Sequence, residues 1–155
     1  MKKYIILFMV VLFSGALLAQ PVNVEDEVNA IKKVIQSAYI DGLQNLGNMD
    51  DIKKGFHPGF DLLIQNKSNS LEKLPIYTWL EMNEQKRKDN PNGLAPEKKV
   101  TCQYDFIDVT GTAAVAKFKF LVGGVHIFTD YISLYKFNDG WKIVGKIYYR
   151  HPEQK

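Results

Sequence analysis

The sequence predicts an α+β domain in which three N-terminal helices pack on one side of a curved, mainly antiparallel sheet. Two observations carry that prediction. The earlier part of the chain holds capped helical stretches around a lone apolar run, "FDLLIQN". The later part changes texture: "KKVTCQYDFIDV", "TAAVAKFKFLV", "VHIFTDYISLYKF" and "WKIVGKIYYR" are rich in β-branched and aromatic residues, and "TG", "GG" and "NDG" between them are tight-turn chemistry. Helices segregated from an antiparallel meander bury one apolar face of each layer against the other.

Each element has its own local reason. Asn23 is read as an N-cap, with Glu25, Asp26 and Glu27 in the first turn where acids complement the helix dipole. Val28, Ile31, Ile35, Ala38, Gly42 and Leu46 recur at spacings of three and four and form one apolar stripe, closed by Gly47. Asn48 opens a short second helix through "MDDIKK", which Gly55 and Pro58 stop. "FDLLIQN" is a strand that ends in the turn "NKSNS". A third helix starts either with Pro75 in its first turn or with the capping box Thr78-x-x-Glu81, and runs to about Lys88 before "DNPNGLAP" breaks it. The run "EQKRKDN" is read as a solvated helix end.

The N-terminus has a different character. "MKK", then "YIILFMVVLFSGALL", then "AQ" describes a secretory signal peptide at 1–19, cleaved near Ala19. The apolar run is shorter than the roughly 20 residues of a spanning helix. The expected product is therefore one exported domain over 20–155, periplasmic or secreted, with no membrane attachment after cleavage. Losing Lys2 and Lys3 takes the formal charge from +3 to +1. Without clustered basic charge there is no expectation of a nucleic-acid partner. Cys102 is the single cysteine, so no intrachain disulfide can form. The three histidines lack helical ligand spacing, and neither a metal nor another cofactor is expected.

Strand alternation sorts the last hairpin into faces. Trp141, Ile143, Gly145, Ile147 and Tyr149 share one face of the final strand, and Asp130, Ile132, Leu134 and Lys136 share one in the strand before it. A two-residue turn at Asp139-Gly140 joins these rows and sets Asp130 opposite Tyr149; a three-residue Asn138-Asp139-Gly140 loop joins Tyr131, Ser133 and Tyr135 to the tryptophan row instead. The first register is preferred because it unites the aliphatic rows. It places Asp130 on the helix-covered face, where a carboxylate has to be hydrogen-bonded, paired or protonated. The other face carries Tyr131, Tyr135, Lys142, Lys146 and Tyr148 and asks for a partner.

"MDDIKKGFHPGFDLLI", "IDVTGTAAVAKF" and "FTDYISLYKFNDGWKIVGKIYYR" together resemble the nuclear-transport-factor-2-like superfamily, and within it the bacterial "lumazine-binding" subgroup close to the SnoaL-like polyketide cyclases. The resemblance implies a cone-shaped fold, a homodimer through the convex sheet face, and a small-ligand site between the third helix and the sheet. It also implies that Asp130 sits where steroid-isomerase-like members hold a protonated pocket acid, that Tyr39 falls near their pocket tyrosine, and that their carboxylate base is replaced by Ile64. "FHP" at His57 is a family feature, read as a turn-former whose imidazole bonds backbone.

From these readings the expected function is the binding of a small apolar or aromatic molecule. Trp79, Tyr104, His126 and Tyr149 are the ligand-lining candidates; Asp130 and Tyr39 are the candidates for chemistry. The rival expectations are a SnoaL-like cyclase, dehydratase or isomerase using Asp130 as acid or base, and a non-catalytic dimeric interaction module.

Overall fold

The computed structural model of the chain describes residues 23–152. The predicted signal segment lies outside them. Helix α1 spans Val24–Val34 and starts where expected, with the Asn23 side chain accepting from the Glu25 amide at 3.1 Å. It continues without a break into a π-helical segment, Ile35–Gln44. Helix α2 (Met49–Gly55) is capped by Asn48, whose side chain accepts from the Asp50 amide. It ends hard against the first helix: a Cβ on Gly55 would collide with the Cβ of Ala38. Strand β1 (Phe56–Gln65) follows, then β2 (Leu71–Pro75), helix α3 (Ile76–Asp89), a 3₁₀ turn at Pro96–Lys98, and β3 (Val100–Thr110), β4 (Ala113–Val122), β5 (Val125–Phe137) and β6 (Gly140–Arg150).

The strands form one six-stranded sheet in the order β2-β1-β6-β5-β4-β3. All pairs are antiparallel except β1 with β6. Two details correct the sequence reading. Helix α3 stands between β2 and β3, so the helices are not all N-terminal. Strand β2 occupies a stretch between the predicted turn and third helix to which no element is assigned from sequence; it is short, edge-lying, carries Glu72 and Lys73, and ends in Pro75, features that mute an edge strand's signal. The core lies between the helices and the concave sheet face, where Ile35, Phe60, Phe118, Ile132, Leu134 and Ile143 are at most 1% exposed. Each such side chain contributes roughly 1.5–3 kcal/mol by leaving water.

Near its turn the β5–β6 hairpin has neither predicted register, but beyond a bulge it takes the second, with Ser133 opposite Gly145 and Tyr131 opposite Ile147. Its two-residue turn is Asn138-Asp139, with Phe137 opposite Gly140 and Lys136 opposite Trp141. The ladder then slips by one residue: Leu134 faces Ile143, but Ser133 faces Gly145, leaving Val144 as a bulge. Trp141 and Ile143 point inward as expected. Beyond Val144 the phase inverts, so Lys146 and Tyr148 turn toward the core while Ile147 and Tyr149 turn out, 51% and 57% exposed. A second bulge leaves Ile127 unpaired between the Leu121–His126 and Phe120–Phe128 pairs and puts His126 out of phase with Phe128 and Asp130.

Candidate functional site

Three chain segments converge on the helix-covered face of the sheet. The π segment supplies Tyr39, β5 supplies Asp130, and β6 supplies Lys146 because of its bulge. The Tyr39 hydroxyl donates to Asp130 Oδ2 at 2.8 Å, and Lys146 Nζ lies 2.9 Å from Oδ1. The second contact is an ion pair without the alignment of a hydrogen bond, so Oδ1 is compensated by charge alone among the described residues. All three groups are buried, Asp130 completely.

Burial governs their acidities. Loss of water pushes the Asp130 carboxyl above its ordinary value even though Lys146 and Tyr39 pull the other way. The same loss lowers the Lys146 ammonium despite the attraction of Asp130. The Tyr39 phenol is driven well up by burial and then by the adjacent carboxylate, so it stays a neutral donor.

Beside the triad is a cavity of about 180 Å³. Tyr39, Trp79, Phe120, Phe128 and Tyr148 supply its rings; Gln44 and Lys146 supply polar groups. Tyr39 meets Trp79 edge-on at 6.0 Å, and the Lys146 ammonium sits 5.4 Å above the Tyr39 ring and 4.7 Å above that of Tyr148. Tyr39 and Gln44 are five residues apart. Successive α-helical residues are turned by about 100°, so residues five apart would diverge; the i→i+5 pattern of a π-helix brings them back to one side.

The π segment is held at its C-terminal end by α3. The Asn83 side chain donates to the Leu43 carbonyl, Lys86 to Gln44, and Arg87 to both Leu46 and Gly42. These bonds satisfy carbonyls that a helix end leaves open. The basic run of α3 is therefore partly a clamp on the neighbouring helix, where the sequence suggested only a solvated end. Asn45 adds a two-way bond to the Val100 backbone, at 2.8 Å each way, tying the segment to β3.

Of the residues singled out from sequence, Tyr39 and Trp79 line the cavity. Asp130 stands behind Tyr39 and Lys146 and does not face it. Tyr104 is half-buried against Phe118, with its hydroxyl 3.3 Å from the Lys32 carbonyl. His126 and Tyr149, both displaced by bulges, gather on the opposite sheet face: His126 and His151 each reach the Thr129 hydroxyl, and Tyr149 packs edge-on against His151. His57 does serve its turn, Nδ1 accepting from the Gly59 amide at 3.0 Å. Lys146, Gln44, Phe128 and Tyr148 escaped the sequence reading. The available signal was Gly145, since a glycine inside a strand often marks a bulge.

A helix-roofed, curved sheet is the architecture of the nuclear-transport-factor-2-like proteins. The chain belongs to the family described as "Putative lumazine-binding", whose profile matches residues 26–149. Among solved structures, an NTF2-like protein of unknown function from Shewanella baltica OS155 is 25% identical, with a TM-score of 0.67 over 86% of this chain and 100% of that one. One from Methylobacillus flagellatus KT, 23% identical, superposes with a TM-score of 0.59 over 84% of this chain and 96% of its own, and shares the fold. The same holds for one from Silicibacter pomeroyi DSS-3, 14% identical, TM-score 0.65, covering 83% and 99%. No curated protein matches the chain.

Proposed function

We propose that the cavity binds a compact, flat, apolar or aromatic molecule that presents a hydrogen-bond acceptor to Lys146. The observation that carries this is a buried ammonium at the wall of an otherwise ring-lined space. Asp130 neutralises the ammonium as its ion-pair partner, and the Lys146 N–H groups can meet a ligand carbonyl, ring nitrogen or oxyanion. A cavity of about 150 Å³ accommodates benzene, so this space suits one ring or a tight fused bicycle such as the lumazine of the family's description. Affinity comes mainly from ring burial; Lys146 and Gln44 fix orientation.

Thermal denaturation with and without ligand tests this reading. A ring bearing a carbonyl should raise the midpoint, and the corresponding plain hydrocarbon should raise it less; a ligand at a hundred times its Kd contributes about 2.7 kcal/mol. Equal responses, or none across single-ring and bicyclic compounds, would remove the proposal.

Two further properties belong to the same reading. The chain is exported after cleavage near Ala19, supported by "MKK" with its apolar run and by a family match that begins only at residue 26. A second copy covers the convex sheet face, where Tyr135, Ile147 and Tyr149 are each more than half exposed. Light scattering on the mature chain should return twice the protomer mass; a monomer at micromolar concentration would discard the second copy.

A further inference from the structure

We propose that Lys146 captures small aromatic aldehydes covalently, forming a protonated imine whose counter-ion is Asp130. The inference rests on the binding reading above, since the aldehyde has to enter the ring-lined cavity first.

The geometry supplies each requirement. Lys146 is the one amine bordering this cavity among the described residues, and its nitrogen lies over the rings of Tyr39 and Tyr148. Its nitrogen lies 2.9 Å from a carboxylate oxygen that has no hydrogen-bond partner. Burial moves the two acidities toward each other, which shortens the energetic distance between ammonium–carboxylate and amine–carboxylic acid. Desolvated lysines are the ones that serve as carbonyl nucleophiles.

The reaction balances without an outside proton. The Lys146 ammonium gives a proton to Asp130 Oδ1. The free amine lone pair forms a bond to the carbonyl carbon, and the π pair moves to oxygen. A second proton passes from nitrogen to that oxygen, giving a neutral carbinolamine. Asp130 returns its proton to the hydroxyl, which leaves as water as the nitrogen lone pair forms the C=N bond. Ammonium and aldehyde have become iminium and water, each side carrying one positive charge. Asp130 is a carboxylate at both ends, so the buried charge pair survives the reaction, and Tyr39 keeps its bond to Oδ2 throughout. This conservation of charge is what an apolar enclosure demands, because an isolated ion there is costly.

The test is reductive trapping. The mature protein is incubated with equimolar benzaldehyde and cyanoborohydride, then weighed intact and digested with trypsin. A single benzyl group is expected on Lys146, which blocks cleavage after that residue and yields the joined peptide 143–150. In the double variant Asp130→Asn with Lys146→Met, which avoids stranding a buried charge, the single-site adduct should disappear. Modification spread over surface lysines, with Lys146 unmodified, would overturn the inference. Benzamide, which cannot form the imine, is followed in parallel by thermal shift. If benzamide stabilises the protein and no Lys146 adduct forms, covalent capture falls while binding stands; if neither occurs, both fall.

Discussion

Two carboxylate–lysine pairs, one joining helix α1 to the β5–β6 hairpin and one within that hairpin, behave in opposite ways. Near the turn, Lys136 Nζ lies 2.6 Å from Glu27 Oε1, and Trp141 Nε1 donates to Oε2 at 2.6 Å. At the open end, Lys146 and the Tyr39 hydroxyl serve the two oxygens of Asp130. Each carboxylate has one lysine and one aromatic donor. Yet Glu27 is held below its ordinary acidity range by its hydrogen bonds to Lys136 and Trp141, and Asp130 is raised above it. The difference is water: the Lys136 side chain is 39% exposed and that of Lys146 only 6%. Partners of the same kind stabilise charge at the surface and only reduce its cost inside. The outer pair is a clasp. The inner one is a chemical group kept ready at the edge of a cavity.

Breaking the inner pair should give the largest effect. Lys146→Met strands a buried carboxylate and should cost about 3–5 kcal/mol of unfolding free energy, whereas adding Asp130→Asn in the same chain should recover most of it. Urea unfolding of the two variants beside the parent measures both values. If the single and double variants are equally destabilised, the loss is one of packing by the lysine stem, and the contrast between the pairs is not electrostatic.

The fold was legible because local chemistry and global arrangement agree: caps at Asn23 and Asn48, glycine-bearing turns, and four β-rich runs all lie where the structure uses them. Asp130 was legible as an inward carboxylate that has to be hydrogen-bonded, paired or protonated, and Tyr39 and Lys146 are the partners it meets. What defeated the sequence reading was phase. Alternation carried straight along β6 puts Ile147 and Tyr149 inside, and carried back along β5 it puts His126 inside; one extra residue at Val144 and another at Ile127 reverse both. The π segment hid for a similar reason. The apolar spacing of Ile31, Ile35 and Ala38 fits an α-helix, and only the i→i+5 turn brings Gln44 beside Tyr39. The demand of a buried carboxylate for a cation could have selected the correct phase, since a bulge next to Gly145 turns Lys146 inward.

Replacing the outer carboxylate sharpens the comparison with a smaller effect. Glu27→Gln keeps an acceptor for Trp141 and removes the charge opposite Lys136, so at neutral pH it should cost no more than about 1 kcal/mol, the range of surface pairs. The pH dependence is more telling. Because the folded chain depresses the Glu27 acidity, its contribution is fully present above the unfolded value of 4.5 and is lost as pH falls through the lower folded value. Parent and variant should therefore differ at pH 7, begin to converge as the pH falls below 4.5, and meet once it has passed the lower folded value, with the variant's stability less steep between. Asp130 cannot produce that pattern, because its raised carboxyl binds a proton more readily in the folded state than in the unfolded one. Urea midpoints taken from pH 7 to pH 3 decide the matter: a gap between the two proteins that stays constant over this range would show that Glu27 acts through hydrogen bonding alone, and that the turn-side pair owes nothing to its charge.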